Sequence, residues 1–379
     1  MRPSRRSPKT EHVSPPPIEP VDPGGSRTLL LLTVVALAVF AVAWAGGFEQ
    51  ALGPALVAGL ALLATYCQTH SKLRVFTFTF FVFASVAAAM FYPWMFDTWG
   101  GFDLGQLIVP LIQLIMFGMG ASLSLSDFLG ALKMPKAVGI GMFLQFTVMP
   151  VLGWAIAMAF GFEPEVAAGI ILIGSCSGGV ASNVMAYLAH ANVALSVTMT
   201  ACSTLMAPIM TPLAMKLLAG TFIEIDFFDM MISIVEMVII PIGAGLIANK
   251  LLAGRRQLLD KVLPVVSMAA ICFILGIIAE GSRDDLLAVG LLLLGASLIH
   301  NLMGYWLGYV LAGLLRLPET DRRTVAFEVG MQNGGMGVGL ATGALDSAQA
   351  ALGPAVFGTW MNITGSTLAS WWRERPPKS

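Results

Sequence analysis

Charge is what this 379-residue chain has least of. Asp, Glu, Lys and Arg make up 11% of it, against a hydrophobic share of 57%, whereas soluble domains carry about 25% charged residues. With a mean hydropathy of +0.81, the chain cannot clothe itself in a solvated surface, which excludes an ordinary soluble domain. Lys plus Arg (21) nearly balance Asp plus Glu (22), and no basic stripe with interleaved aromatics offers nucleic acid a place to bind. Histidine and cysteine are both scarce, at four each. Cys67, Cys176, Cys202 and Cys272 stand in apolar surroundings without CxxC or Cys/His spacing, so they read as buried free thiols. The sequence also lacks HExxH, GxSxG and a pair of intramembrane Asp residues, which leaves a membrane-embedded enzyme without recognisable catalytic equipment.

What the chain has in abundance is apolar runs of membrane-spanning length, about 20 residues each. Twelve spans are expected, at 28–46, 51–67, 73–94, 105–122, 137–160, 165–189, 192–219, 228–249, 262–280, 285–315, 323–345 and 351–372. Residues 1–27, rich in Arg, Pro and Ser, read as a disordered tail, and 374–379 as a second tail. The run from Thr28 to Gly46 starts late and is followed by further spans, so it reads as a membrane helix rather than a signal peptide.

Basic residues orient the spans. Arg2, Arg5, Arg6, Lys9 and Arg27 precede the first. Lys72 and Arg74, Lys133 and Lys136, Lys250, Arg255, Arg256 and Lys261, Arg316, Arg322 and Arg323 occupy alternate loops, and Arg373, Arg375 and Lys378 end the chain. Twelve crossings put all of these on one side. The other side is acidic, with Glu163, Glu165, Glu224, Asp226, Glu280, Asp284 and Asp285 beside only Lys216 and Arg283. The expectation is a multi-pass protein of a bacterial-type inner (plasma) membrane with both termini cytoplasmic.

Two of the most hydrophobic segments are interrupted at mid-span, by Gly-rich stretches at 174–183 and 328–337 that each contain Asn. A broken helix at bilayer depth leaves backbone groups unpaired, which is tolerated only inside protein or beside a wet cavity. A matched pair of interruptions points to the binding site of a secondary transporter. With 28–71 set aside as an extra hairpin, residues 72–373 hold ten spans that divide into 72–223 and 224–373, with the break in the fourth helix of each half. Five is odd, so the halves have opposite orientation. The fold class is an all-α polytopic membrane protein of inverted five-helix repeats.

Glu328 is the sharpest residue. A charge within a membrane helix costs at least ~2.5 kcal/mol, so it faces a cavity or a partner; pairing with Arg322 or Arg323 is the plain alternative. Gln332 follows four residues on. The first break offers Ser182 and Asn183, and the next helix Ser196 and Thr200, again four apart. A hard cation wants several oxygens, and one carboxylate among neutral oxygens suits a monovalent ion. The half-helices that begin at the breaks present N–H groups that favour an anion. Gln145, His300, Asn301 and Asn362 are weaker intramembrane polar groups, and Glu236 is an acid without an evident partner.

At these residues the chain resembles the bile acid:sodium symporter family, particularly its ten-helix bacterial members. Ala181–Met185 through Asn192–Val197, Ser203-Thr204 and Thr211-Pro212 look like its first crossover region. Glu328–Asn333 look like its second, and His300-Asn301 and Asn362–Ser366 fit too. The resemblance implies a core domain with two crossed, broken helices, a moving panel domain, and two sodium sites. The first site would use Ser182, Asn183, Ser196, Thr200 and Glu328; the second Gln145, Glu328, Gln332 and the backbone of Val329 and Met331. Substrate would lie near Asn333, Gly334, Gly179, Val180 and Asn362. The implied function is sodium-coupled import of an organic anion, bile-acid-like or a small carboxylate; a proton-coupled or uncoupled carrier on the same fold is the alternative. Ser177 and Val180 depart from the residues relatives often carry there, so substrate identity does not transfer. Oligomeric state is left open.

Overall fold

The computed structural model describes residues 23–70, 73–252, 256–375 and Pro377. Residues 1–22 of the expected N-terminal tail, and Lys72, Arg255 and Lys378, lie outside the described residues. Apart from a two-stranded β-hairpin pairing Thr98–Trp99 with Phe102–Asp103, the described chain is helical. Eight of its helical segments are long and apolar enough to cross a membrane.

The helices are α1 (Pro23–Gly46), α2 (Glu49–Thr69), α3 (Thr77–Phe91), α4 (Ile108–Ser122), α5 (Leu125–Lys133), α6 (Pro135–Phe160), α7 (Pro164–Ser175) and α8 (Ala181–Leu188). They continue with α9 (Val193–Leu218), α10 (Phe227–Ile234), α11 (Ile240–Leu251), α12 (Arg256–Gly281), α13 (Arg283–Leu314), α14 (Glu319–Gly330), α15 (Gly334–Gly343) and α16 (Ala348–Arg373). Every expected span coincides with a helix or a helix pair. Several helix ends differ from the expected bounds, α12 beginning at Arg256 rather than 262 and α14 at Glu319 rather than 323, and three further details differ. Helix α1 begins at Pro23 rather than 28, since proline suits a first helical turn. An additional short amphipathic helix, α5, follows α4, started by a Ser124/Asp127 capping box. A π-helical turn, Val235–Ile239, joins α10 to α11.

Helix ends are set by familiar chemistry. Asn192, Asn333 and Ser347 each accept a bond from a backbone N–H three residues on, which starts α9, α15 and α16. Gly161, at φ 63°, ends α6 in the left-handed conformation that glycine adopts without strain.

Packing divides the helices into two sets. In one, α3 lies on α12, and α4 lies on both α11 and α12. In the other, α6, α7, α9, α13, α14 and α16 pack on one another, with α8 on α9 and α15 on α16. Helix α1 packs on α2, which packs on α3. The outward face of α1, with Leu31, Val34, Val42 and Trp44 exposed, is suited to acyl chains.

Candidate functional site

The two breaks meet. The helix is lost at 176–180 and at 331–333, so each interruption is shorter than its Gly-rich run. Glu328 remains helical, and Gly334–Gly337 already belong to α15. The unwound pieces cross and pair antiparallel, Gly178 against Gln332. Gly179 N donates to Met331 O at 3.0 Å, and Asn333 N donates to Ser177 O at 2.8 Å. Each break thereby satisfies backbone groups that the other leaves open, which is how broken helix survives where water is scarce. Glycine is required by that approach: a Cβ on Gly179 would stand 2.7 Å from Gln332 O.

On one side of the bridge sits Glu328, 1% exposed. Its Oε1 accepts from the hydroxyls of Ser182 and Ser196, and its Oε2 from Thr200 at 2.9 Å. Arg322 and Arg323 do not reach it. They pair with Glu319 instead, at 3.4 and 2.9 Å, which removes the interfacial ion-pair alternative. A Cβ on Gly178 would stand 2.7 Å from Glu328 Oε2, so this glycine makes room for the carboxylate. Asn183 forms none of these bonds; its Oδ1 is buried without a partner.

Gln145 reaches the bridge from α6. Its amide N donates to Cys176 O at 2.9 Å and to Gln332 Oε1 at 2.7 Å, and Gln332 donates to Val329 O at 2.6 Å. Gln145 Oε1 is buried and unpartnered. Gln332 lies beyond the last turn of α14, so it faces Gln145 and forms no hydrogen bond with Glu328. Two buried amide oxygens, one carboxylate, three hydroxyls and the carbonyls of Val329 and Met331 thus converge around the crossing. Among the described residues no three His, Cys, Asp or Glu cluster, so the oxygen set carries a single negative charge and suits a monovalent cation better than a divalent one.

The sequence reading missed the floor of this site. Ser203 Oγ accepts from Gly178 N at 3.1 Å, and Thr204 bonds Thr200 O and Ser177 Oγ. The signal was present: Ser196, Thr200, Ser203 and Thr204 continue one helical face at spacings of three and four. His300 bonds Met149 O at 3.0 Å, as an interior histidine. Asn301, beside it, donates to Gly330 O at 2.7 Å and so satisfies the end of α14. Glu236 is exposed on the π-turn, away from the crossing.

On the other side of the bridge are two adjoining cavities of about 350 and 420 Å³ that share Ala181, Ser267, Gly334, Gly335 and Met361. Gly179, Val180 and Asn333 line the first, Asn362 the second, and Gly334 both. Among the described residues no charged side chain lines either one. Asn333 spends its carbonyl on capping α15, and Asn362 donates to Gly358 O at 2.7 Å.

A sequence profile described as the Sodium Bile acid symporter family matches residues 109–289. The chain is 39% identical over 304 residues to an uncharacterized sodium-dependent transporter, YocS, of Bacillus subtilis (strain 168), covering 80% of this chain and 92% of that one. It is 36% identical over 267 residues to a probable chloroplastic sodium/metabolite cotransporter, BASS1, of Arabidopsis thaliana, covering 70% of this chain and 67% of the relative. It is 33% identical over 238 residues to the human ileal sodium/bile acid cotransporter, covering 61% and 67%.

Proposed function

Because the chain belongs to the Sodium Bile acid symporter family, a family of transporters and not of enzymes, we propose that it is a sodium-coupled carrier that imports an organic anion by alternating access. The observation that carries this reading is the buried Glu328 carboxylate at the crossing, surrounded by the hydroxyls of Ser182, Ser196 and Thr200. We assign one sodium to this shell together with Asn183. A second goes to Gln145, Gln332, Glu328 and the backbone of Val329 and Met331. The unpartnered oxygens of Asn183 and Gln145 support both assignments, since a buried amide oxygen without a partner is costly unless a ligand completes it.

The substrate occupies the two cavities beyond the bridge. Their apolar lining favours an anion with a sizeable apolar body, bile-acid-like rather than a compact carboxylate. The N-termini of α8 and α15 open onto the same space and attract its charge. Gly178 faces the carboxylate while the adjacent Gly179 faces the cavity, so cation and anion are separated by the thickness of one bridge. Each then lowers the electrostatic cost of binding the other, a reciprocal coupling between sites.

Packing supports inverted repeats, 72–223 and 224–373, within one transport unit that follows the hairpin 28–71. Helix α6 packs on α7 as α13 does on α14. Helix α7 packs on α16 as α14 does on α9, and α4 on α11 as α12 does on α3. The turns before α9 and α16 both use a residue at positive φ, His190 at 52° and Asp346 at 49°. The α3–α4–α11–α12 set is the panel that moves against the crossing, and both termini are cytoplasmic. Uptake into proteoliposomes at fixed pH tests the proposal. Sodium should drive uptake where potassium does not; equal rates in both salts, or uptake that follows a proton gradient alone, would overturn it.

A further inference from the structure

A groove on the outer surface of the molecule runs between α13 and α16, with a volume of about 570 Å³. It extends from Leu302 and Ile363 at one end to Tyr309 and Trp372 at the other. At 1.5 Å rise per residue that is roughly 10–14 Å, close to one leaflet of a hydrocarbon core about 30 Å thick. Its lining is apolar along its length and aromatic toward the helix C-termini, where Trp306 and Trp371 are 57% and 50% exposed. Trp and Tyr in such positions mark the headgroup level of a bilayer.

The aromatic end carries cations. The Arg322 guanidinium lies 4.1 Å from the Tyr309 ring centroid, and that of Arg375 lies 4.5 Å from Trp371. Arg316, just past the end of α13, and Arg373, in the last turn of α16, are exposed. Arg323 is spent internally, on Glu319 and the carbonyls of Ala189, Trp372 and Arg375. Glu319 offsets Arg322 in part, and Glu374 is the other acid here, which leaves an excess of positive charge at the mouth of an acyl-sized groove.

We propose that this groove binds an anionic phospholipid, with one acyl chain between α13 and α16 and the phosphate at Arg322 and Arg375. The inference rests on the chain being a membrane protein and not on the sodium or substrate assignments. Basic rims between membrane helices select anionic headgroups. A second copy of the chain is disfavoured as occupant, because a symmetric contact would set these arginines against one another. The groove floor gives occupancy a consequence. Tyr305 donates to Met361 O at 3.1 Å, and Thr364 donates to Asn301, the residue that holds Gly330 at the end of α14. The acyl chain would brace the back of the second break.

The test uses full-length protein in neutral detergent, with dioleoyl phosphatidylglycerol, dioleoyl phosphatidylcholine and the free headgroup glycerophosphoglycerol as separate probes. Phosphatidylglycerol should raise Tm about 4 °C more than phosphatidylcholine does, and native mass spectrometry should show it retained. R322Q with R375Q should abolish the preference. T367W, which fills the groove without touching an ion pair, should cut retained phosphatidylglycerol at least fivefold and serves if the double variant fails to fold. Equal stabilisation by the two lipids, an equal effect of the headgroup alone, or full retention by T367W would overturn the proposal.

Discussion

The two broken helices use one backbone device for different chemistry. Both end a buried helix at an amide drawn from a neighbouring long helix, Gln145 of α6 to Cys176 O and Asn301 of α13 to Gly330 O. Both then run into the shared bridge. Beyond that they part. The α7–α8 break brings no charge; it contributes hydroxyls and two glycines with no room for a Cβ. The α14–α15 arm brings the carboxylate, and its glycines Gly334 and Gly335 would place a Cβ no closer than 3.5 Å to anything but a chain neighbour. Gly178 and Gly179 serve close approach, whereas Gly334 and Gly335, in the first turn of α15, leave open space beside the cavities; Gly330 and Gly337, on the same arm, are packed as closely as the first pair. The two amides differ too. The oxygen of Asn301 is taken by Thr364, while that of Gln145 is left without a partner. The two breaks therefore do not offer matching amide oxygens: Gln145 keeps its oxygen available and Asn301 does not.

Four comparisons, made with substitutions and one truncation, sharpen that contrast. Glu328→Gln should have the largest effect, weakening sodium affinity on the order of 100-fold, about 2.7 kcal/mol, since hydrogen bonds to a charged group outweigh those to a neutral one. Sodium-dependent thermal stabilisation of the purified variant reads this directly, and wild-type stabilisation would remove the charge from the site. Gly178→Ala should come next. Overpacking against Glu328 should cost roughly 1–3 kcal/mol of stability and weaken sodium binding with it, whereas Gly335→Ala should leave sodium binding intact and alter only substrate affinity. Equal sodium titrations for the two alanine variants would erase the distinction between the breaks.

Ser182→Ala combined with Asn183→Ala should reduce sodium affinity roughly 30-fold, at about 1 kcal/mol for each of two lost neutral contacts. Glu236→Gln, an exposed acid far from the crossing, should change it by less than about twofold. Comparable losses in a sodium titration would mean that the cation sits elsewhere. The smallest effect belongs to the hairpin. A chain starting at Ser71 lacks α1 and α2 but keeps both breaks, so its sodium-driven uptake per folded molecule should stay within about twofold of the full chain. A folded but inactive truncation would make those two helices part of the transport unit.

The breaks were legible in the sequence because Gly and Asn are out of place in an apolar helix, and the charge at Glu328 because a membrane penalises it. Eight of the described helical segments were legible as spans from length and hydropathy alone. The pairing of Gly178 with Gln332 was not, since nothing local marks a contact between residues so far apart. Nor does the four-residue spacing from Glu328 to Gln332 tell where Gln332 points. The helix ends at Gly330 and turns Gln332 toward Gln145. The closing role of Thr364 and the internal use of Arg323 also depend on side chains meeting across four helices, and no periodicity announces them.

The bridge also constrains how the protein can be made. It joins positions 178 and 332, so 332 − 178 = 154 residues must be synthesised and inserted before it closes. Until then Ser177 O and Gly179 N lack the partners they have in the finished structure, and unsatisfied backbone groups at bilayer depth cost several kcal/mol each. The first half therefore waits in the membrane incomplete, with water or the insertion machinery satisfying its break. Completion of the crossing late in biogenesis is a contact of high sequence separation, the slow kind. A chain that stalls before residue 331 would leave a polar defect among its first helices, a ready signal for quality control to find.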